Sequence, residues 1–173
     1  MILNKTKMET SPTLILSDED IYIKIKRISL QILETCLEDK VIIIAGIYKN
    51  GALLAERISA QLKQLTDTEI VLATVTLDKK NPLHSVQVSI EPSLYKNKSV
   101  ILVDDVLNTG STLIFAAKHF LDVPLKQFKT AVLVDRNHKK YPIKADFKGI
   151  SLSTSLNERV EVDFSSPSKA ELI

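Results

Sequence analysis

Residues 41–47 read "VIIIAGI", an unbroken apolar run that follows Lys40 and gives way to the turn "YKNG". A strand with one wet face alternates apolar and polar side chains. This run does not, so it fits a strand buried on both faces, as in a parallel sheet under helices. Three further strand segments follow: "EIVLATVTL" (69–77), "SVILVDD" (99–105) and "FKTAVLVD" (128–135). Helical patterns separate or precede them at 18–38, 51–65 and 111–121. In the first of these, Ile21, Ile25, Ile28, Ile32 and Leu33 recur at helical spacing. Ser17 opens it as a capping hydroxyl, and the acids that follow suit the positive end of a helix dipole. This alternation predicts an α/β fold whose central, mainly parallel sheet is flanked by helices.

A chain of 173 residues forms one domain with a sizeable core. The strand–helix pattern spans 13–135, with "TLIL" (13–16) as a short strand. After residue 136 the pieces become short and polar, "ADFKGISL" and "ERVEVDF", and read as a small appendage over one end of the sheet through 164. Residues 1–12 and 165–173 read as loose tails. The segment from Leu77 to Ser99 is an excursion punctuated by Pro82 and Pro92, with "HSVQVSI" alternating like an edge strand. Excursions of this length in compact domains are usually functional or disordered.

Composition excludes several classes. With 23 basic and 21 acidic residues the net charge is +2, which does not mark a dedicated nucleic-acid binder but leaves a local basic face open. The single cysteine, Cys36, rules out a disulfide scaffold or zinc site and reads as a buried core thiol. No apolar run approaches the roughly 18 residues that cross a bilayer. No secretory leader pattern opens the chain, so a cytoplasmic location is expected.

The chemistry concentrates in "VILVDDVLNTGST" (100–112). Ligands of open α/β sheets bind beyond the carboxyl ends of the strands, and Asp104 and Asp105 stand at such an end. The turn that follows enters a helix whose first N–H groups and dipole favour an anion. Gly110 allows close backbone approach, and Thr109, Ser111 and Thr112 add hydroxyls. Carboxylates beside an anion cradle would repel phosphate, so they should face another part of the same ligand: hydroxyls, a metal or a developing positive charge. A sugar phosphate satisfies both halves. Neither a Walker loop nor a dinucleotide glycine fingerprint occurs. A second turn, Lys49–Asn50–Gly51, joins a buried strand to a helix at the same edge. Alone, Lys49 reads as a solvated loop lysine; beside the first turn it suits a second anionic group.

The thirteen residues resemble the phosphoribosyl-pyrophosphate (PRPP) signature of type I phosphoribosyltransferases. The resemblance implies that fold, with a small hood built largely from the C-terminal segment. It implies that Asp104 and Asp105 hold the ribose hydroxyls, that Asn108 to Thr112 line the 5-phosphate loop, and that Lys49, Asn50 and Gly51 receive pyrophosphate. It also implies Mg2+, met by Asp104 and Asp105 through ribose or water. "TAVLVDRNHKKYPIKADFKGISLSTSLNERVEV" and "LILSDEDIYIKIKRISLQIL" are similar to the PyrR family, pyrimidine-operon attenuators that are also uracil phosphoribosyltransferases. On that resemblance, Arg136, His138 and Asp146 lie near the base, and a homodimer or larger homo-oligomer is expected. His138 reads equally well as a surface loop residue.

Enzymes that salvage 6-oxopurines usually carry an aspartate where this chain has Asn108, and an asparagine cannot act as a base. The chain also departs from PyrR. Its pyrophosphate turn has Lys-Asn-Gly for Thr-Arg-Gly, and Lys79 or Lys80 stands in for an arginine as a candidate catalytic cation. The excursion to Ser99 is shorter than the family's closing loop, which bears on turnover more than on ligand binding. The leading expectation is transfer of phosphoribosyl from PRPP to uracil. Alternatives are a PRPP- or nucleotide-sensing, RNA-binding attenuator of pyrimidine genes with little catalysis, and a phosphoribosyltransferase for another base.

Overall fold

The computed structural model describes residues 12–78, 85–155 and 158–173. The first half comprises β1 (Thr13–Leu16), α1 (Asp18–Thr35), β2 (Val41–Ile47), α2 (Asn50–Leu65), β3 (Glu69–Thr76), β4 (Gln87–Val88) and α3 (Pro92–Tyr95). The second half comprises β5 (Ser99–Leu107), α4 (Ser111–Phe120), β6 (Gln127–Asp135), β7 (Phe147–Ser151), β8 (Val160–Asp163) and β9 (Lys169–Leu172). Among the described residues no helix is long and apolar enough to cross a membrane.

Six strands form the main sheet in the order β4-β3-β2-β5-β6-β7, every neighbour parallel except the short antiparallel edge β4. The non-alternating runs explain the arrangement, because each central strand has a helix layer on both sides. Ile101 and Val103 of β5 join a core with α1 and α2, while Val100 and Leu102 join another with α3 and α4. Residues Ile42 through Ile47 of β2 are all buried. Each such isoleucine or leucine contributes about 1.5–3 kcal/mol by leaving water. Helix α1 starts as its sequence implies: Ser17 Oγ accepts from the Asp20 N–H at 3.2 Å, and Asp20 Oδ2 accepts from the Ser17 N–H at 3.0 Å. That reciprocal capping box fixes where the helix begins.

A second, antiparallel sheet runs β1-β9-β8. It corrects three expectations. The C-terminal segment is no loose tail: β9 is the middle strand, paired on both sides, with Ala170 fully buried. Strand β1 belongs to this appendage rather than to the main sheet. Strand β7, expected in the appendage, is instead the sixth strand of the main sheet, parallel to β6. The appendage is therefore assembled from both ends of the chain. It is anchored by Val160, Val162 and Phe164 in the α1/α2 core, and by Arg57, which donates to the Phe164 carbonyl at 2.8 Å. The expected edge strand of the 77–99 excursion is β4, continued by Ser89, whose N–H donates to Thr74 O at 3.0 Å. Residues 1–11 and the candidate cations Lys79 and Lys80 lie outside the described residues.

Candidate active site

Because β2, β3, β5 and β6 are parallel, their carboxyl ends share one edge, and two turns into helices meet there. The turn after β2 leads into α2, with Lys49 exposed at its N-cap and the Tyr48–Lys49 peptide bond cis. The turn after β5 leads into α4, with Gly110 at its N-cap. Side chains alternate along a strand, so adjacent carboxylates near the end of β5 can serve different cavities. Asp105 lines a cavity of about 370 Å3 with Tyr48, Lys49, Asn50 and Leu77. Asp104, itself buried, lines a smaller one of about 140 Å3 with Asn108, Thr109, Gly110 and Thr112. One cavity thus carries a lysine and an exposed helix start, the other a second helix start, and an aspartate reaches into each.

Asn50 ties the larger cavity together. Its side-chain amide donates to Asp105 Oδ2 at 3.0 Å and to the Val162 carbonyl of β8 at 2.8 Å. A single amide therefore joins the turn, the carboxylate and the appendage. Gly51 is required by close packing: a Cβ there would stand 2.7 Å from Val103 O and 3.0 Å from the Asp104 Cα. Any larger residue would push α2 off β5 and shift Asp104.

In the smaller cavity Gly110 adopts φ 83°, and a Cβ would meet Ile143 Cγ2 at 2.7 Å. A residue other than glycine would be strained on both counts. Ser111 N–H donates to Thr109 Oγ1 at 3.3 Å. The Thr109 carbonyl accepts from the N–H groups of Lys140 (2.8 Å) and Tyr141 (3.1 Å), and the Tyr141 ring meets Phe115 edge-on at 6.1 Å. The segment after β6 thus latches the back of the cradle. The N-cap Gly110 has no side chain to offer α4, and the remaining N–H groups of its first turn have no intrahelical acceptors, which favours an anion there.

Of the three residues expected near a base, Arg136 and His138 follow the carboxyl end of β6, while Asp146 does not reach that edge. The Arg136 guanidinium, on a residue 5% exposed, donates to Thr154 Oγ1 (2.9 and 3.1 Å), Ser155 O (3.3 Å) and Glu158 O (2.6 Å). It ties Thr154, Ser155 and Glu158 to the end of β6. His138 Nε2 lies 2.6 Å from the Thr154 carbonyl, so that nitrogen carries the proton, and the ring braces Thr154 as well. Asp146 is not at the edge at all. It accepts from the Thr130 N–H at 3.0 Å, five residues before the end of β6. Since β7 runs parallel to β6, the residue preceding β7 lies toward the amino ends of both, about 16 Å from the site at strand rise.

Asp135 is a site-edge residue that the sequence reading missed. Buried at the end of β6, it accepts from Lys139 Nζ (2.8 and 3.0 Å) and from the Asn137 N–H (3.1 Å), with Lys148 Nζ at 3.7 Å. Burial raises its pKa, but the hydrogen bonds and the two lysine charges outweigh burial and hold the carboxyl below the usual carboxylate range. Its signal is the one Asp104 and Asp105 also give, an acid closing an apolar strand ("AVLVD").

Comparison with known proteins agrees with this geometry. The family model described as "Phosphoribosyl transferase domain" matches residues 13–169. The Bifunctional protein PyrR of Herpetosiphon aurantiacus is 33% identical, over 90% of this chain and 91% of that protein. That of Bacillus cereus is 36% identical, over 86% and 88% respectively. Among solved structures, a hypoxanthine-guanine phosphoribosyltransferase from Bacillus anthracis superimposes with a TM-score of 0.74 at 19% identity. The superposition covers 96% of this chain and all of that one, 100%. The Trypanosoma cruzi hypoxanthine phosphoribosyltransferase gives 0.70 at 15% identity, covering 85% and 83%. At such identities the two structures speak for the fold.

Proposed function

The chain belongs to the phosphoribosyl transferase family, in its PyrR branch, and on that premise we propose that it transfers the 5-phosphoribosyl group of PRPP to uracil, yielding UMP and pyrophosphate. The observation that carries this reading is the pair of adjacent cavities with one aspartate in each. PRPP has an anionic group at either end and hydroxyls between. Its 5-phosphate fits the Asn108–Thr112 cradle at the start of α4, and its pyrophosphate fits Lys49 and the N–H groups of Asn50 and Gly51 at the start of α2. Asp104 and Asp105 then meet the ribose hydroxyls.

As the C1–O bond breaks, its electron pair leaves with pyrophosphate and positive charge develops on the ribose. Asp104 and Asp105 stabilise that charge, and Lys49, together with Lys79 or Lys80 as the family resemblance implies, offsets the charge of the leaving group. Uracil N1 bonds to C1, and its proton passes to the departing pyrophosphate or to solvent. Asn108 has no basic atom, which speaks against the 6-oxopurines. Catalysis rests on positioning and charge. The donor set fits Mg2+, which takes one or two carboxylates together with substrate phosphate oxygens and keeps several waters. Among the described residues no group of three or more acidic, histidine or cysteine side chains gathers to hold a metal without substrate. Mg2+ would supply charge neutralisation at the pyrophosphate, while Asp104 and Asp105 orient the sugar.

The relatives are named bifunctional proteins, which favours a second activity, and we assign RNA as its ligand. Steep loss of RNA affinity with rising salt would support that assignment, because each phosphate contact releases counterions. The enzymatic reading is tested by a product screen with PRPP, Mg2+ and uracil, cytosine, hypoxanthine or guanine. UMP as the dominant product is expected; a purine nucleotide as the dominant product would overturn the choice of base.

A further inference from the structure

We infer that Tyr141 is a positioning residue of the phosphate cradle: it latches the Thr109 carbonyl from behind and so aims the Gly110 N–H at the 5-phosphate. The inference rests on the phosphoribosyl reading above and gives a role to a residue that lines neither cavity. The Thr109–Gly110 peptide is trans, so its carbonyl and its N–H point in opposite directions. The carbonyl accepts from the N–H groups of Lys140 at 2.8 Å and Tyr141 at 3.1 Å. The Gly110 N–H must then point away from Lys140 and Tyr141. The smaller cavity lies on that side, since Thr109 and Gly110 border it while Lys140, Tyr141 and Ile143 do not.

The aim of this one amide matters because donors at the cradle are few. Ser111 N–H is engaged by Thr109 Oγ1 at 3.3 Å, and Ile114 N–H by the Gly110 carbonyl at 3.0 Å. Among the described residues at the start of α4, that leaves the N–H groups of Gly110, Thr112 and Leu113 for an anion. The helix itself directs Thr112 and Leu113. Gly110, at the N-cap in the left-handed conformation, is directed from outside by the latch.

The latch is held at both ends. Before it, Lys139 Nζ and the Asn137 N–H donate to Asp135, which ties these residues to the end of β6. After it, the Ile143 N–H donates to the Tyr141 carbonyl at 2.8 Å, a three-residue turn that suits the fixed φ of Pro142. The turn lays Ile143 against the core cluster that holds Leu107 and Leu113. The Tyr141 ring closes the other side, edge-on to Phe115 of α4 at 6.1 Å. Since the ring makes this contact, phenylalanine should serve as well.

Isothermal titration calorimetry of the full chain with ribose 5-phosphate, and separately with pyrophosphate and Mg2+, tests the latch. Wild type and Tyr141→Phe should bind ribose 5-phosphate equally. Tyr141→Ala should weaken that binding about tenfold, as expected when a hydrogen bond to a charged group loses its aim, and leave pyrophosphate affinity unchanged. Phe115→Leu, which removes the partner ring, should act in the same direction. The double variant Y141A/F115L should be no weaker than Tyr141→Ala, because both substitutions break one contact. In turnover the loss should appear in KM for PRPP and not in kcat. Unchanged ribose 5-phosphate affinity in Tyr141→Ala, an equal loss of pyrophosphate affinity, or additive effects of the two substitutions would each overturn the latch and leave phosphoribosyl transfer standing. A wild type that binds neither ribose 5-phosphate nor PRPP would overturn both.

Discussion

Strand β5 carries buried polar groups at both of its ends, and the two ends are built on opposite plans. At the amino end Ser99 donates to Asp39 Oδ2 at 2.5 Å, Lys126 closes on Asp39 Oδ1, and Gln127 donates to Ser99 Oγ at 3.0 Å. Cys36 lies beneath, its thiol pushed up to about 12 by burial and then by Asp39. Burial raises the Asp39 pKa, but hydrogen bonds from Lys126, Ser99 and Cys36 more than offset that and hold the carboxyl below its usual range. At the carboxyl end Asp105 shares one amide with β8 and opens onto a cavity, and Asp104 borders another. The contrast teaches that buried charge alone does not mark a reactive site. A carboxylate closed in by its own neighbours stabilises the fold; one that borders a cavity beside a lysine and two helix starts is the candidate for a ligand.

That contrast can be broken or sharpened experimentally. Among single substitutions the largest effect is expected at the open end from Gly51→Ala. Its new Cβ must displace the β5 backbone or α2, and misplacement of Asp104 should cost about 100-fold in kcat/KM with little loss of helix content. Next, at the closed end, Asp39→Ala leaves the Ser99 hydroxyl buried without its acceptor. It should destabilise the protein by about 2 kcal/mol in urea unfolding, with kcat unchanged below the unfolding transition. The pH dependence follows from sign. A carboxyl whose folded pKa is depressed stabilises fully above its unfolded value of 3.8, and the contribution is lost as pH falls through the lower, folded value. Urea midpoints measured from pH 6 down to 3 should therefore fall less steeply for Asp39→Ala than for the wild type. Asn50→Ala removes the link from Asp105 to β8 and should raise KM for PRPP about tenfold, with a smaller change in stability. The smallest response is expected of Cys36. A thiol pushed up to about 12 should not react with a disulfide reagent at pH 8 until the protein is unfolded.

The elements that could be read along the chain are those whose signal is local. Val41–Ile47 and Ser99–Leu107 announce themselves by apolar runs, α1 by its period and its capping hydroxyl, and the proposed phosphate cradle by an acid pair followed by Thr-Gly-Ser-Thr. What escaped depends on partners distant in sequence. Lys169–Leu172 reads "KAEL", residues poor in intrinsic strand preference, and becomes a strand because Leu172 pairs with Thr13 on one side and Val160 on the other. The orientation of Arg136 is set by Thr154 and Glu158, and the distance of Asp146 from the site by the parallel pairing of β6 with β7. The side-chain role of Asn50 needs Val162, 112 residues away. Local pattern thus supplied the two turns, while the contacts that join them to the appendage arise only in the folded chain.

The account rests on the open carboxylates, and the direct test is single-turnover conversion of PRPP with Mg2+ and uracil, following pyrophosphate release. The wild type is to be compared with the double variant Asp104→Asn/Asp105→Asn. Formation of UMP by the wild type and its loss, by at least about 1000-fold, in a variant that retains its fold is the result the account predicts. Equal rates in the two proteins, or no PRPP binding by the wild type, would contradict it.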